Sequence, residues 1–120
     1  MMKKETVIKI RSQLAPLFNG AVTADKAAMV KVPRGYVNGE WYDGKTIFVT
    51  YANGHIEAGY YAADYDFEIS YYPVGNSLNA VTDYLISHCS PILSQVKGEL
   101  KVSFYNTEDV DEDCPWDVAV

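Results

Sequence analysis

The chain reads as one α+β domain: an antiparallel β-meander of about five to six strands, packed against an N-terminal helix and a second helix that precedes the last strand. Three features predict this class. The block Gly35–Pro73 holds eight of the ten tyrosines, and Asn38-Gly39, Asp43-Gly44 and Asn53-Gly54 cut it into strand-length pieces. On both sides of that block, apolar residues recur every three or four positions, the helical period. The stretch after the second helical stripe then alternates with period two.

In chain order, Val7, Ile10, Leu14, Leu17 and Phe18 form one stripe of an amphipathic helix over about Lys4 to Phe18. Pro16 removes a backbone donor, so the helix kinks or finishes there, and Asn19-Gly20 stops it. Residues 27–33 read as a short strand whose final Pro33 suits a strand end or an edge. Within the tyrosine block, a two-residue loop at Asn53-Gly54 sets a register. It opposes Ala52 to His55, Tyr51 to Ile56, Val49 to Ala58 and Ile47 to Tyr60. That places Ile47, Val49, Tyr51, Ile56, Ala58 and Tyr60 on one face, the core face. Phe48, Thr46, Thr50, Glu57, Gly59 and Tyr61 form a mixed face opposite. Upstream, a turn at Tyr42–Lys45 would set Trp41 against Ile47, while Asn38-Gly39 fits either a further hairpin or a bulge.

Residues 62–66 connect to a strand in which Phe67, Ile69 and Tyr71 alternate with Glu68, Ser70 and Tyr72 until Pro73. Asn76-Ser77 supplies a cap for a second helix whose stripe is Leu78, Val81, Leu85, Ile86 and Cys89. Ser90-Pro91 reads as a fresh cap starting a short last helical piece before Gly98. Leu100, Val102 and Phe104 are expected inward on the last strand, with Lys101, Ser103 and Tyr105 outward. Residues 1–107 are thus the folded domain. Residues 108–120 are an acidic tail, and the whole stretch 106–120 carries six of the sixteen acids. Like charges at that density predict loose order, although Trp116 is unusual there.

A chain of 120 residues can bury roughly two thirds of its unfolded surface. No apolar run approaches the ~20 residues of a membrane span. The basic N-terminus lacks the apolar core of a secretory signal, so a cytoplasmic location without membrane contact is the default expectation. The net charge of −6 conceals an asymmetry. Residues 1–34 set seven Lys and Arg against two acids (+5), and residues 35–120 set three against fourteen (−11). An acidic surface repels nucleic acid and attracts basic proteins.

No motif points to catalysis. Asp109, Asp111 and Asp113 match the start of a calcium loop, but Cys114 stands where glycine is needed and Val120 where the bidentate glutamate is needed. His88 and Cys89 are adjacent and would point about 100° apart on a helix, a poor zinc pair. A Cys89, His55 and Asp83 constellation can be drawn, but Cys89 falls on the apolar stripe, where an inert thiol is commoner. Two cysteines make no disulfide framework, and a Cys89–Cys114 bridge would need the tail to fold back. Phosphate binding lacks its glycine-rich loop, and the aromatics alternate with acids rather than with the basic residues that nucleic-acid stacking requires. No cofactor or metal is expected.

The expectation is therefore a small acidic, non-enzymatic binding protein that occludes a basic surface of a partner protein. That surface would be a nucleic-acid-binding groove or a toxin, in the manner of phage or plasmid anti-defence and immunity proteins. Tyrosine suits low-entropy interface contact, and acids around it steer toward positive charge. The expected contact residues are Glu57, Tyr61, Asp64, Tyr65, Asp66, Glu68 and Tyr72, with Asp109, Asp111, Asp113 and Trp116 of the tail. The alternatives are a small-molecule pocket or minor enzyme drawing on Tyr36, Trp41, Tyr71 and Tyr84, and a homodimeric structural subunit.

Overall fold

Two α-helices pack on one face of a five-stranded antiparallel sheet, and a small two-stranded ribbon stands beside it. The computed structural model describes residues 2–118. Ala119 and Val120 of the expected tail therefore lie outside the described residues. Helix α1 spans Lys4–Leu14, and the chain tightens into a 3₁₀ turn over Ala15–Phe18 with Pro16 in its first turn, where a missing N–H costs little. Ile10, Leu14 and Leu17 are fully buried, as the stripe predicts.

Strand β1 (Lys26–Val32) is not an edge. It lies between β4 (Lys45–Ala52) and β7 (Lys101–Asn106), with β5 (His55–Ala63) and then β6 (Ile69–Gly75) beyond β4, and with Pro33 just past its end. Four consecutive buried residues, Ala27–Val30, reflect cover on both faces, which is why the strand reads as an apolar run rather than an alternation.

The Asn53-Gly54 hairpin forms in the expected register, joining β4 to β5 (His55–Ala63) with Ala52 opposite His55 and Val49 opposite Ala58. Both turn residues have positive φ, 53° and 84°, the requirement of a type I′ loop. Ile47, Val49 and Ala58 are fully buried beneath the helices, and Ile56 and Tyr60 pack at their margin. Tyr51, near the tip, reaches past the helices and stays 43% exposed.

Asn38-Gly39 makes a second hairpin turn of the same kind (φ 52° and 83°). It joins β2 (Gly35–Val37) to β3 (Glu40–Tyr42) in a separate ribbon, so Trp41 opposes Tyr36 rather than Ile47. Ile47 pairs with Val30 of β1, which takes the ladder position expected for Trp41. Strand β6 (Ile69–Gly75) continues through Pro73, because the strand is an edge and a bulge lies opposite Ala58/Gly59.

Helix α2 (Leu78–Gln95) starts at Ser77, whose hydroxyl accepts from the Ala80 N–H at 3.1 Å. It does not restart at Ser90-Pro91. It runs through Pro91, because Cys89, Ile92 and Leu93 are all buried in the core and hold the helix against it. Gly98 (φ 79°) closes the helix with its N–H on the Leu93 carbonyl at 2.8 Å and lets α1 approach.

The sheet has a second core on its outer face, made by Ala27, Met29, Phe48 and Tyr105, with Tyr61, Val110 and Val118 packed on it. This reverses the expected burial at the end of β7. Tyr105 is 8% exposed, while Phe104 lies 40% exposed with the Lys26 ammonium 5.6 Å from its ring centre. The chain after β7, expected to be loosely ordered, follows this outer face. Thr107 anchors its start, donating from its N–H to the Asp25 carbonyl and from its hydroxyl to the Ala24 carbonyl.

Candidate interaction surface

The expected contact residues separate into four groups, and strand alternation decides between the two that lie on the sheet. Across β5 and β6, Tyr61 pairs with Tyr71 and Tyr60 with Tyr72. Directly paired residues share a face, so Tyr61 and Tyr71 belong to the outer face and Tyr72 to the helix side.

The outer group is Glu57, Tyr61 and Trp116, joined by Tyr71. The Tyr61 ring meets Phe48 at 5.3 Å, Tyr71 at 5.2 Å and Trp116 at 5.6 Å between centroids. Trp116 of the tail is thus part of a packed aromatic cluster rather than a free anchor. Tyr71 lies across Gly59, where a Cβ would collide with its ring, so glycine is required there for the ring to sit flat. Burial, followed by the Glu57 carboxylate, pushes the Tyr71 hydroxyl up to about 12. The same two causes raise Tyr61.

The second group is the loop between β5 and β6. Asp64 is half-buried, and its carboxylate holds the loop together. Its Oδ1 accepts from the N–H of Asp66 (2.9 Å) and of Glu68 (3.1 Å), and its Oδ2 accepts from the Ser70 hydroxyl (3.1 Å). Two backbone bonds close the same loop, from Asp64 N–H to the Glu68 carbonyl and from Phe67 N–H to the Asp64 carbonyl. Phe67, expected within the strand, instead sits in this loop with φ 62°. The result is a built loop that presents Tyr65 (102% exposed) and Phe67 (89% exposed) beside the exposed acids Asp66 and Glu68. Ile69 and Tyr71 of edge strand β6 extend the apolar surface from it.

The third group lies on the helix side. Tyr72 stacks on Tyr60 (5.4 Å), Tyr60 tilts toward Tyr84 (6.0 Å), and Tyr84 stacks on His88 (4.2 Å). Lys45 threads this row. Its ammonium donates to the Tyr84 hydroxyl at 2.7 Å and lies 3.8 Å from the Tyr60 ring centre. Hydrogen bonding to Tyr84 and then burial raise the Tyr60 hydroxyl, while Lys45 opposes them. Lys45 was not among the expected site residues; its only signal was a lone cation following glycine in a tyrosine-rich block.

The tail acids are spread out. Asp111 Oδ1 accepts from the Asp113 N–H (2.9 Å), and Asp109 receives a long bond from the Asn106 amide (3.5 Å). Among the described residues, no three His, Cys, Asp or Glu side chains gather around a common point for a metal. Burial raises the Cys89 thiol, and His55 lies at the hairpin tip, so these two do not form a nucleophile and base. Cys89 and Cys114 are both free. The four aromatics of the pocket alternative are dispersed: Tyr36 and Trp41 face each other on the ribbon (4.9 Å), Tyr71 is on the outer face and Tyr84 on α2. No described helix is long and apolar enough to cross a membrane.

Comparison of the chain with protein-family models, with curated proteins and with solved structures gave no match.

Proposed function

We propose that the protein is a non-enzymatic binding protein that docks on a positively charged surface of a partner protein and occludes it. The observation that carries this reading is the Asp64-stapled loop. Exposing two whole aromatic rings is unfavourable for an isolated domain, and the loop spends five hydrogen bonds on holding that conformation. A preorganised aromatic pair loses little entropy on docking, and Asp66 and Glu68 on either side of Phe67 add attraction for cations. The net charge of −6 favours the same partner at longer range. A nucleic-acid-binding surface or a basic toxin is the partner class that this combination fits. Inhibitors of the anti-defence or immunity type, acting in the cytoplasm, are the corresponding biological role.

The experiment is affinity capture from the native host at low salt, run in parallel with the wild type and a Tyr65→Ala/Phe67→Ala double variant. A basic protein held by the wild type, released as salt rises and absent with the variant supports the reading. Equal recovery by both proteins, or recovery of nothing but a second copy of the chain on sizing, rejects it.

A further inference from the structure

A second feature of the surface has the opposite charge. At the same end of the sheet as the Asp64–Glu68 loop, but across at the β4, β1 and β7 corner, a cavity of about 830 Å³ opens between the strand ends and the end of α2. Its lining includes four cations, Lys31, Arg34, Lys45 and Lys101, and one acid, Glu99. The Glu99 carboxylate is already engaged by Lys9 at 2.5 Å, and that is the sole ion pair among the described residues. Among the described residues, these cations thus have no carboxylate partner.

The arrangement has a cost that folding alone does not require. Lys31 and Lys101 lie directly opposite each other across β1 and β7, and like charges in that position destabilise a sheet. Lys45 is held in place by the Tyr84 hydroxyl and the Tyr60 ring. Gly44 sets the spacing, since a Cβ there would come within 2.7 Å of the Val32 carbonyl oxygen, so only glycine lets the turn before Lys45 close against the end of β1. The floor between the cations is apolar, made by Val32, Pro33, Val96 and Leu100. Apolar walls with a few polar groups, in a volume of this size, are the usual form of a small-ligand site; here Lys31 and Lys101 share the outer face of the sheet, and Lys45, paired with Val32, reaches the strand ends from the helix side.

We propose that this cavity binds a small organic phosphate. The phosphate would be held by Lys31, Arg34 and Lys101, and the organic body would lie on the apolar floor. The site is separate from the aromatic loop, and it stands or falls independently of the partner-docking reading. The like-charge pair is then the cost of a preformed anion site, relieved when the anion binds.

Amide chemical shifts of the labelled full chain, titrated with inorganic phosphate and with adenosine monophosphate, test this. Saturable shifts are expected at Val32, Arg34, Lys45 and Lys101, with the nucleotide binding more tightly than phosphate. Lys31→Gln and Lys101→Gln should each weaken binding about tenfold, the loss of one charge-assisted bond. Both variants should melt no lower than the wild type, because each relieves repulsion. Arg34→Gln, in an exposed connection, provides a second variant with no structural burden, and Lys4→Gln on α1 should leave affinity unchanged. Shifts that fail to saturate, that appear equally at the α1 lysines, or that persist unaltered in Lys31→Gln would overturn the proposal. So would equal affinity for phosphate and nucleotide. Cavity shifts that grow with protein concentration alone would overturn it in favour of an acidic loop from a second copy.

Discussion

Tyr105 makes the stability of this protein sensitive to alkaline pH. Its ring is 8% exposed, lies 6.4 Å from Phe48 in the outer core, and has its hydroxyl pushed up to about 12 by burial and, secondarily, by Tyr61. A raised value means that the fold favours the protonated form. The contribution is complete below the ordinary tyrosine value of 10.0 and is lost as pH rises toward 12. That interval corresponds to about 2–3 kcal/mol. Tyr71 titrates in the same range but is 37% exposed, so water screens it and its share is smaller. Denaturant unfolding at steps from about pH 7 to pH 12, with tyrosinate absorbance recorded in parallel, measures the effect for the wild type and Tyr105→Phe. The two should agree within about 0.5 kcal/mol at neutral pH. Above about pH 10 the wild type should fall away, until the gap reaches about 2–3 kcal/mol. Parallel loss of stability in both proteins would show that the Tyr105 hydroxyl is not shielded, and that the chain after β7 does not cover it.

Three further outcomes follow from the geometry. Tyr65→Ala/Phe67→Ala should change unfolding free energy by no more than about 0.5 kcal/mol, since both rings are exposed; a larger loss would mean that they pack on the domain. Asp64→Ala removes the acceptor for three hydrogen bonds, so it should cost about 1–2 kcal/mol and open residues 65–68 to proteolytic nicking, readable on a gel. Gly98→Ala adds a Cβ 2.8 Å from the Thr6 carbonyl oxygen at φ 79°; a loss of about 2–3 kcal/mol is expected in thermal melts, and a silent substitution would contradict the close approach of α1.

The Asn53-Gly54 hairpin was legible because two independent signals agree there: a turn that demands positive φ and an alternation that collapses if the register slips. The Asn38-Gly39 ribbon was not, because three-residue strands are too short to carry a period. Ser90-Pro91 misleads for a different reason: a local stop signal is overridden by the burial of Ile92 and Leu93. Phe104 and Tyr105 came out inverted because alternation separates two faces without saying which is covered. Here both faces are covered, the outer one by Val110 and Val118, which an acidic composition conceals. The candidate surface suffered the same way. Tyr71 and Tyr72 are neighbours in sequence and lie on opposite sides of the sheet, and Asp64 supports the loop from within. The basic cavity left no linear trace, since its cations arrive from residues 31, 34, 45 and 101.

The position of β1 has a consequence for biosynthesis. Lys31 waits seventy residues for its neighbour Lys101, an interval of roughly 4–14 s at typical elongation speeds of about 5–20 residues per second. Through that window the nascent polypeptide carries an unpaired strand edge rich in Ala, Met and Val, the kind of edge that templates intermolecular pairing. The outer aromatics wait longer still, until Val110 and Val118 have emerged. A chain that stops short of Val110 should therefore be sticky, and its expression yield should fall below that of a chain carrying both Val110 and Val118.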